Sequence, residues 1–98
     1  MRNSMRPVPP GEILGMEMQE LELSAAKLAA YLGVPTNRVT AIINKTRSIT
    51  PDTALRLAAF FNTTAQFWIN LQTNYDLRTV EISDGNEIRK TVKRYVAR

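Results

Sequence analysis

The chain contains neither cysteine nor histidine. Without cysteine there is no disulfide, no thiolate metal site and no redox switch to consider. Without histidine the commonest general base and the commonest metal ligand are lost together. Catalysis would then rest on carboxylates, Lys, Tyr or Ser, and the nine acids are scattered with no close pair in an apolar frame. The composition therefore argues against an enzyme, and no metal, cofactor or small-molecule substrate is expected. No apolar run is long enough to span a bilayer and no basic-then-apolar leader opens the chain, so a cytoplasmic protein without membrane contact is expected. With 98 residues, 44% of them hydrophobic, there is material for one compact domain but hardly two, and a small all-α domain is the economical form.

Acid is also missing from the middle of the chain. Residues 24–50 contain Lys27, Arg38, Lys45 and Arg47 but no Asp or Glu, a balance of +4 that equals the net charge of the whole chain. Residues 1–23 carry −2, residues 51–75 are neutral and residues 76–98 carry +2. A solvated face is the ordinary reading of a charge cluster, but an acid-free window over a groove-reading motif is what attraction to phosphates predicts.

That window holds SAAKLAAYLGVPTNRVTAIIN, residues 24–44, which reads as two short helices joined by a tight corner. Ser24 caps the first helix, and its hydroxyl is a candidate phosphate contact. Leu28 and Leu32, with small Ala25 and Ala29, give that helix a face for close packing. Gly33 supplies the left-handed cap, Val34 plugs the corner and Pro35-Thr36 restarts a helix from extended backbone. In the second helix Val39, Ile42 and Ile43 recur at i, i+3 and i+4. Thr36, Asn37, Arg38, Thr40, Ala41 and Asn44 are left facing outward, a short, polar, carboxylate-free set of the kind a helix needs between two rows of phosphates. The loop that follows adds the cations Lys45 and Arg47, with Ile49 as its apolar anchor. An ordinary αα-corner in a helical bundle remains the alternative to a DNA reader.

Around this corner the chain divides into an N-terminal arm at 1–9, a helical domain at 10–77 and an extension at 78–98. The arm, rich in proline, is expected to be extended and flexible, with Arg2 and Arg6 either touching DNA or fraying. From Pro10 a first helix places Leu14, Met18 and Leu21 on one face, and its four glutamates turn it away from DNA. Gly15 weakens this helix by about 1 kcal/mol unless close packing needs the space. Met16 and Met18 fit either core filling or an interaction surface. Thr50-Pro51-Asp52 starts a fourth helix with Ala54, Leu57, Ala58 and Phe61 inward, ended by Asn62. Thr64 caps a fifth, AQFWINLQTNYDL, with Trp68, Leu71 and Tyr75 on one side and Phe67 flanking. Beyond Leu77, RTVEI predicts a short strand or an extended link, Ser83-Asp84-Gly85-Asn86 a turn or cap, and Ile88, Val92, Tyr95 and Val96 a final amphipathic helix that needs a cover. The expected fold is all-α: five helices and one additional C-terminal helix.

The corner, with Ala29, Gly33, Val39 and Ile42, resembles the helix-turn-helix of lambda-repressor-like regulators. More specifically, Pro10-Gly11-Glu12-Ile13-Leu14, Arg47 with Ile49-Thr50, Ala54-Leu55-Arg56-Leu57, Phe67-Trp68-Ile69-Asn70-Leu71-Gln72 and Tyr75-Asp76-Leu77 resemble the HigA-type antitoxins of bacterial toxin–antitoxin modules, over residues 9–77. This resemblance implies a homodimer that binds a palindromic double-stranded DNA operator, represses its own operon and neutralises a cognate HigB-type toxin, RelE-like and mRNA-cleaving. By position, Thr36, Asn37, Arg38, Thr40 and Asn44 would face the groove and Arg47 would contact a phosphate. Two other readings are a stand-alone helix-turn-helix repressor without a toxin and a pure protein-interaction module. The chain departs from such proteins at Lys45, where they often carry glycine. If that position needs a positive φ, lysine costs on the order of 1 kcal/mol.

Overall fold

The computed structural model describes residues 6–97. Its helices are α1 (Pro10–Glu20), α2 (Ala25–Leu32), α3 (Thr36–Ile43), α4 (Pro51–Phe61) and α5 (Ala65–Thr91), with no strand among the described residues. The starts follow the caps read from sequence. The side chains of Ser24, Thr50 and Thr64 accept from the backbone N–H of Lys27, Thr53 and Phe67, and proline opens α1 and α4, each cap satisfying a donor that the first turn leaves free. The helix-turn-helix pair α2–α3 is packed onto a core of Leu14, Met18, Leu28, Ala29, Leu32, Val39, Ile42, Ile49, Ala54, Leu57 and Trp68. Leu21, grouped with that core in sequence, is exposed at the end of α1, where the chain has already turned. Met18 fills the core while Met16 stays exposed.

The helix ends share one device. After α1, α2, α3 and α4 the chain passes through a left-handed residue: Glu22 at φ +54°, Gly33 at +73°, Lys45 at +67° and Asn62 at +58°. Each is followed by a backbone N–H reaching back to the last turn: Leu23 to Met18, Val34 to Ala29, Thr46 to Ala41 and Thr63 to Ala58. These bonds satisfy carbonyls that the helix ends leave open. Glycine stands at only one of the four. The positive φ asked of Lys45 is therefore present, and Glu22 carries a second instance of the same strain. Glu22→Gly is expected to raise stability by about 0.5–1 kcal/mol, the left-handed penalty less the greater freedom of unfolded glycine, read as a rise in Tm. Lys45→Gly should do the same.

The two glycines of α1 differ. Gly11 is buried, and a Cβ there would overlap the Ile42 carbonyl oxygen and press on the backbone of Ile43, so its absence lets α1 lie against α3. At Gly15 a Cβ would meet nothing within 4 Å. The close packing weighed for Gly15 is found at Gly11 instead.

The C-terminal expectation needs correction. Residues 78–82 form neither a strand nor a link, Ser83 to Asn86 make no turn, and there is no separate final helix: α5 runs unbroken for 27 residues, about 40 Å. The physical reason lies at Gly85. Glu81 and Arg89 pair across it at 2.8 Å, and a Cβ at Gly85 would strike both side chains. The turn-prone residues are thus bridged by an ion pair on their own helix. The helix ends at Thr91, and Val92, Tyr95 and Val96 lie beyond it, exposed. Because α5 projects past the core, the Cα radius of gyration is 16.8 Å against about 13 Å for a compact domain of this length.

Of the N-terminal arm, Arg2 lies outside the described residues. Arg6 is engaged rather than free, with both terminal nitrogens donating to the Glu12 carboxylate at 2.8 and 2.9 Å, and Pro9 and Pro10 are buried. Among the described residues no helix is long and apolar enough to cross a membrane.

Candidate nucleic-acid interface

The outward set from sequence lies on α3, on the loop after it and at the start of α2. Thr36 and Asn37 are exposed at the start of α3 and Asn44 at its C-cap, Arg38, Thr40 and Ala41 are half-buried, and Lys45 and Arg47 are exposed in the following loop. Ser24, also exposed, is at the first turn of α2, where it is used as a cap. Thr40 turns its hydroxyl back to the Asn37 carbonyl at 3.3 Å. Val39 and Ile42 are almost fully buried beneath them. The core therefore fixes the roll of α3 about its axis, and the roll decides which side chains look out.

The loop after α3 is held from two sides. Thr46 donates its hydroxyl to the Ala41 carbonyl at 3.2 Å and its N–H to the same oxygen at 2.9 Å. From the other side Gln72 of α5, buried, accepts the Ile49 N–H at 2.8 Å, while its own amide N–H donates to Asp76 at 3.0 Å. This second bond orients the Gln72 amide, so its oxygen faces the loop. A cavity of about 150 Å³ lies under the loop, lined among others by Pro10, Gly11, Lys45, Arg47, Gln72 and Asp76. Gln72 and Asp76 were read only as part of a family motif. Their role in fixing the Arg47 loop spans more than twenty residues of sequence and has no local signal.

Arg38 is less free than its place on the outer face suggests. Its Nη1 donates to Asp52 Oδ2 at 2.6 Å, and its side chain is 24% exposed. The same carboxylate oxygen accepts from Arg56 Nε at 3.0 Å, and Arg56 Nη1 donates to the Leu32 carbonyl at 2.8 Å. One acid at the start of α4 thus joins α3 to the end of α2. The hydrogen bond from Arg56, then that from Arg38, hold the Asp52 carboxyl below its ordinary pKa. Its folded value is depressed, so the stabilisation is present above the usual carboxylate range and is lost as pH falls through the lowered value. Asp52 was read from sequence only as part of the start of the fourth helix; its two arginine partners lie fourteen residues before it and four after.

No group of three or more Asp and Glu that could hold a metal ion occurs among the described residues. What the arrangement offers is a polar edge, backed by apolar packing and bordered by the cations Lys45 and Arg47, with Asp52 against Arg38 and Asp76 lining the cavity under the loop. Helices of this form enter the major groove with the residues of their first turns at base edges, while the flanking loops meet phosphates.

Comparison with known proteins agrees with this geometry. The helix-turn-helix family matches residues 14–68. An addiction module antidote protein of a HigA family from Coxiella burnetii is 55% identical, with a TM-score of 0.90, the alignment covering 93% of this chain and 100% of that one. Antitoxin GraA, solved in complex with its operator, is 48% identical with a TM-score of 0.89 and 99% coverage of each chain. Antitoxin HigA of Pseudomonas aeruginosa, solved with the higBA promoter, is 40% identical with a TM-score of 0.88, over 93% of this chain and 100% of that one.

Proposed function

The chain belongs to the HigA-type antitoxins of the helix-turn-helix family, and from that membership we propose that it is a cytoplasmic, operator-binding autorepressor that neutralises a RelE-like, mRNA-cleaving toxin. The observation that carries the DNA half of this reading is the exposed, carboxylate-free face of α3 with Lys45 and Arg47 beside it. Relatives of the same fold are solved on an operator and on a higBA promoter, which supports binding to the promoter of the protein's own operon. The toxin half rests on family membership. Thr36, Asn37, Arg38, Thr40 and Asn44 take the groove, Ala41 allows close approach, and Ser24, Lys45 and Arg47 take phosphates.

A palindromic operator calls for two reading helices about 34 Å apart, hence a twofold dimer. The free half of α5 offers a surface for it: Leu77, Val80 and Ile88 lie on one side of the helix and are all exposed. Apolar side chains at this spacing on a projecting helix gain by meeting their own copy. Leu77→Asp combined with Ile88→Asp is expected to halve the mass seen by light scattering and to abolish tight operator binding while leaving the helical spectrum intact.

The whole proposal is tested by purifying the chain together with the product of the neighbouring reading frame and adding the promoter fragment. A ternary band is expected. A DNA shift without a protein complex would leave a stand-alone repressor, and a complex without a shift would leave an interaction module.

A further inference from the structure

We propose that Asp52 sets the DNA discrimination of this protein by withholding Arg38 from phosphates that are not part of the operator. The inference rests on α3 being the reading helix. Arg38 is the third residue of α3, in the end of such a helix that meets base edges. A guanidinium there can read guanine bidentately, but it is an equally good ligand for any phosphate. Left to swing, it would add affinity everywhere and selectivity nowhere.

The structure removes that freedom. Asp52 Oδ2 takes Arg38 Nη1 at 2.6 Å, and Arg56 holds the same oxygen while anchored on the Leu32 carbonyl. Arg38 Nε is buried and has no hydrogen-bond partner, so the side chain is kept in this pose at the expense of one of its own donors. The Asp52 side chain is 57% exposed, which puts a carboxylate at the rim of α3, a helix with no acid of its own. Left unpaired, an acid in that place would repel phosphate on any DNA; its ion pairs with Arg38 and Arg56 mask that charge. Its presence is accounted for if it works on selectivity. Pulling Arg38 onto a phosphate would uncover the carboxylate beside the duplex. Only a base contact that replaces the lost ion pair offsets this. Asp52 acts through Arg38 and is a positioning residue.

The experiment uses the full chain, the promoter fragment and a scrambled duplex of equal length and composition, titrated at several salt concentrations. Asp52→Asn is expected to tighten binding to the scrambled duplex, to leave operator binding nearly unchanged, and so to cut the ratio of the two by about tenfold, within the range of one base contact. On scrambled DNA its log–log salt slope should steepen by about 0.9 per protomer, one further phosphate contact. In an Arg38→Ala background the same substitution should do neither. Asp52→Glu, which keeps the charge, should restore most of the discrimination, and Asp52→Ser replaces Asp52→Asn if melting shows the latter unfolded. An unchanged ratio in Asp52→Asn, or a gain that persists without Arg38, overturns the proposal and leaves the reading helix in place. Operator preference that survives Arg38→Ala overturns both.

Discussion

Raising salt from about 50 to about 200 mM is expected to cut operator affinity by about a thousandfold. In the proposed complex the cations reaching phosphates are Lys27, Lys45 and Arg47, all exposed, and the proposed twofold dimer doubles them. Each contact releases condensed counterions and contributes about −0.9 to the slope of log affinity against log salt, so six contacts give a slope near −5. Arg47 belongs to this set and to no base contact. Arg47→Ala should therefore weaken operator and scrambled DNA alike and flatten the dimer's slope by about 2, one contact from each protomer. Arg38→Ala should instead remove preference for the operator. Fluorescence anisotropy on a labelled promoter fragment separates the two, and a slope near zero is incompatible with a phosphate-facing edge.

Gly11→Ala should lower stability by about 3 kcal/mol, the upper part of the range for overpacking. The added methyl would meet backbone rather than a yielding side chain: the carbonyl of Ile42, with Ile43 close behind. Neither atom can rotate away, so α1 has to lift off α3. At 4–8 °C per kcal/mol for a domain of this size, Tm should fall by roughly 12–24 °C. Because α3 is the element displaced, operator binding should weaken even below the melting range. Gly15→Ala is the matched control on the same helix. With nothing within 4 Å, it should stabilise by up to about 1 kcal/mol. If both substitutions had the same sign, the packing of α1 on α3 would be misplaced.

What was legible in the sequence was local. Ser24, Thr50 and Thr64 announce helix starts because a cap acts within three residues. Gly33 announces a corner because a left-handed residue favours a missing Cβ. The burial of Val39 and Ile42 follows from helical spacing. What was hidden depended on residues far apart or on chemistry with no signature. Nothing about a glutamate suggests a positive φ, yet Glu22 has one because the turn after α1 needs it. Ser83-Asp84-Gly85-Asn86 reads as a turn at any short range. In the fold, Glu81 and Arg89 meet over the glycine, Ser83 donates to the Val80 carbonyl and Asn86 accepts from Arg89, so the turn-prone residues are engaged along the helix. The candidate site divides in the same way. Its outward faces could be read from period, but the hold of Asp52 on Arg38 and of Gln72 on the loop at Ile49 arises when α4 and α5 fold back on the motif.

The most direct test of a reading helix in the groove is an amide map of the labelled full chain as the promoter fragment is added. Resonances of residues 36–47 and of Ser24 are expected to shift most, with the acidic face of α1 at Glu17 and Glu20 unmoved. Shifts confined to α1 or to the free end of α5, with residues 36–47 silent, would contradict the account.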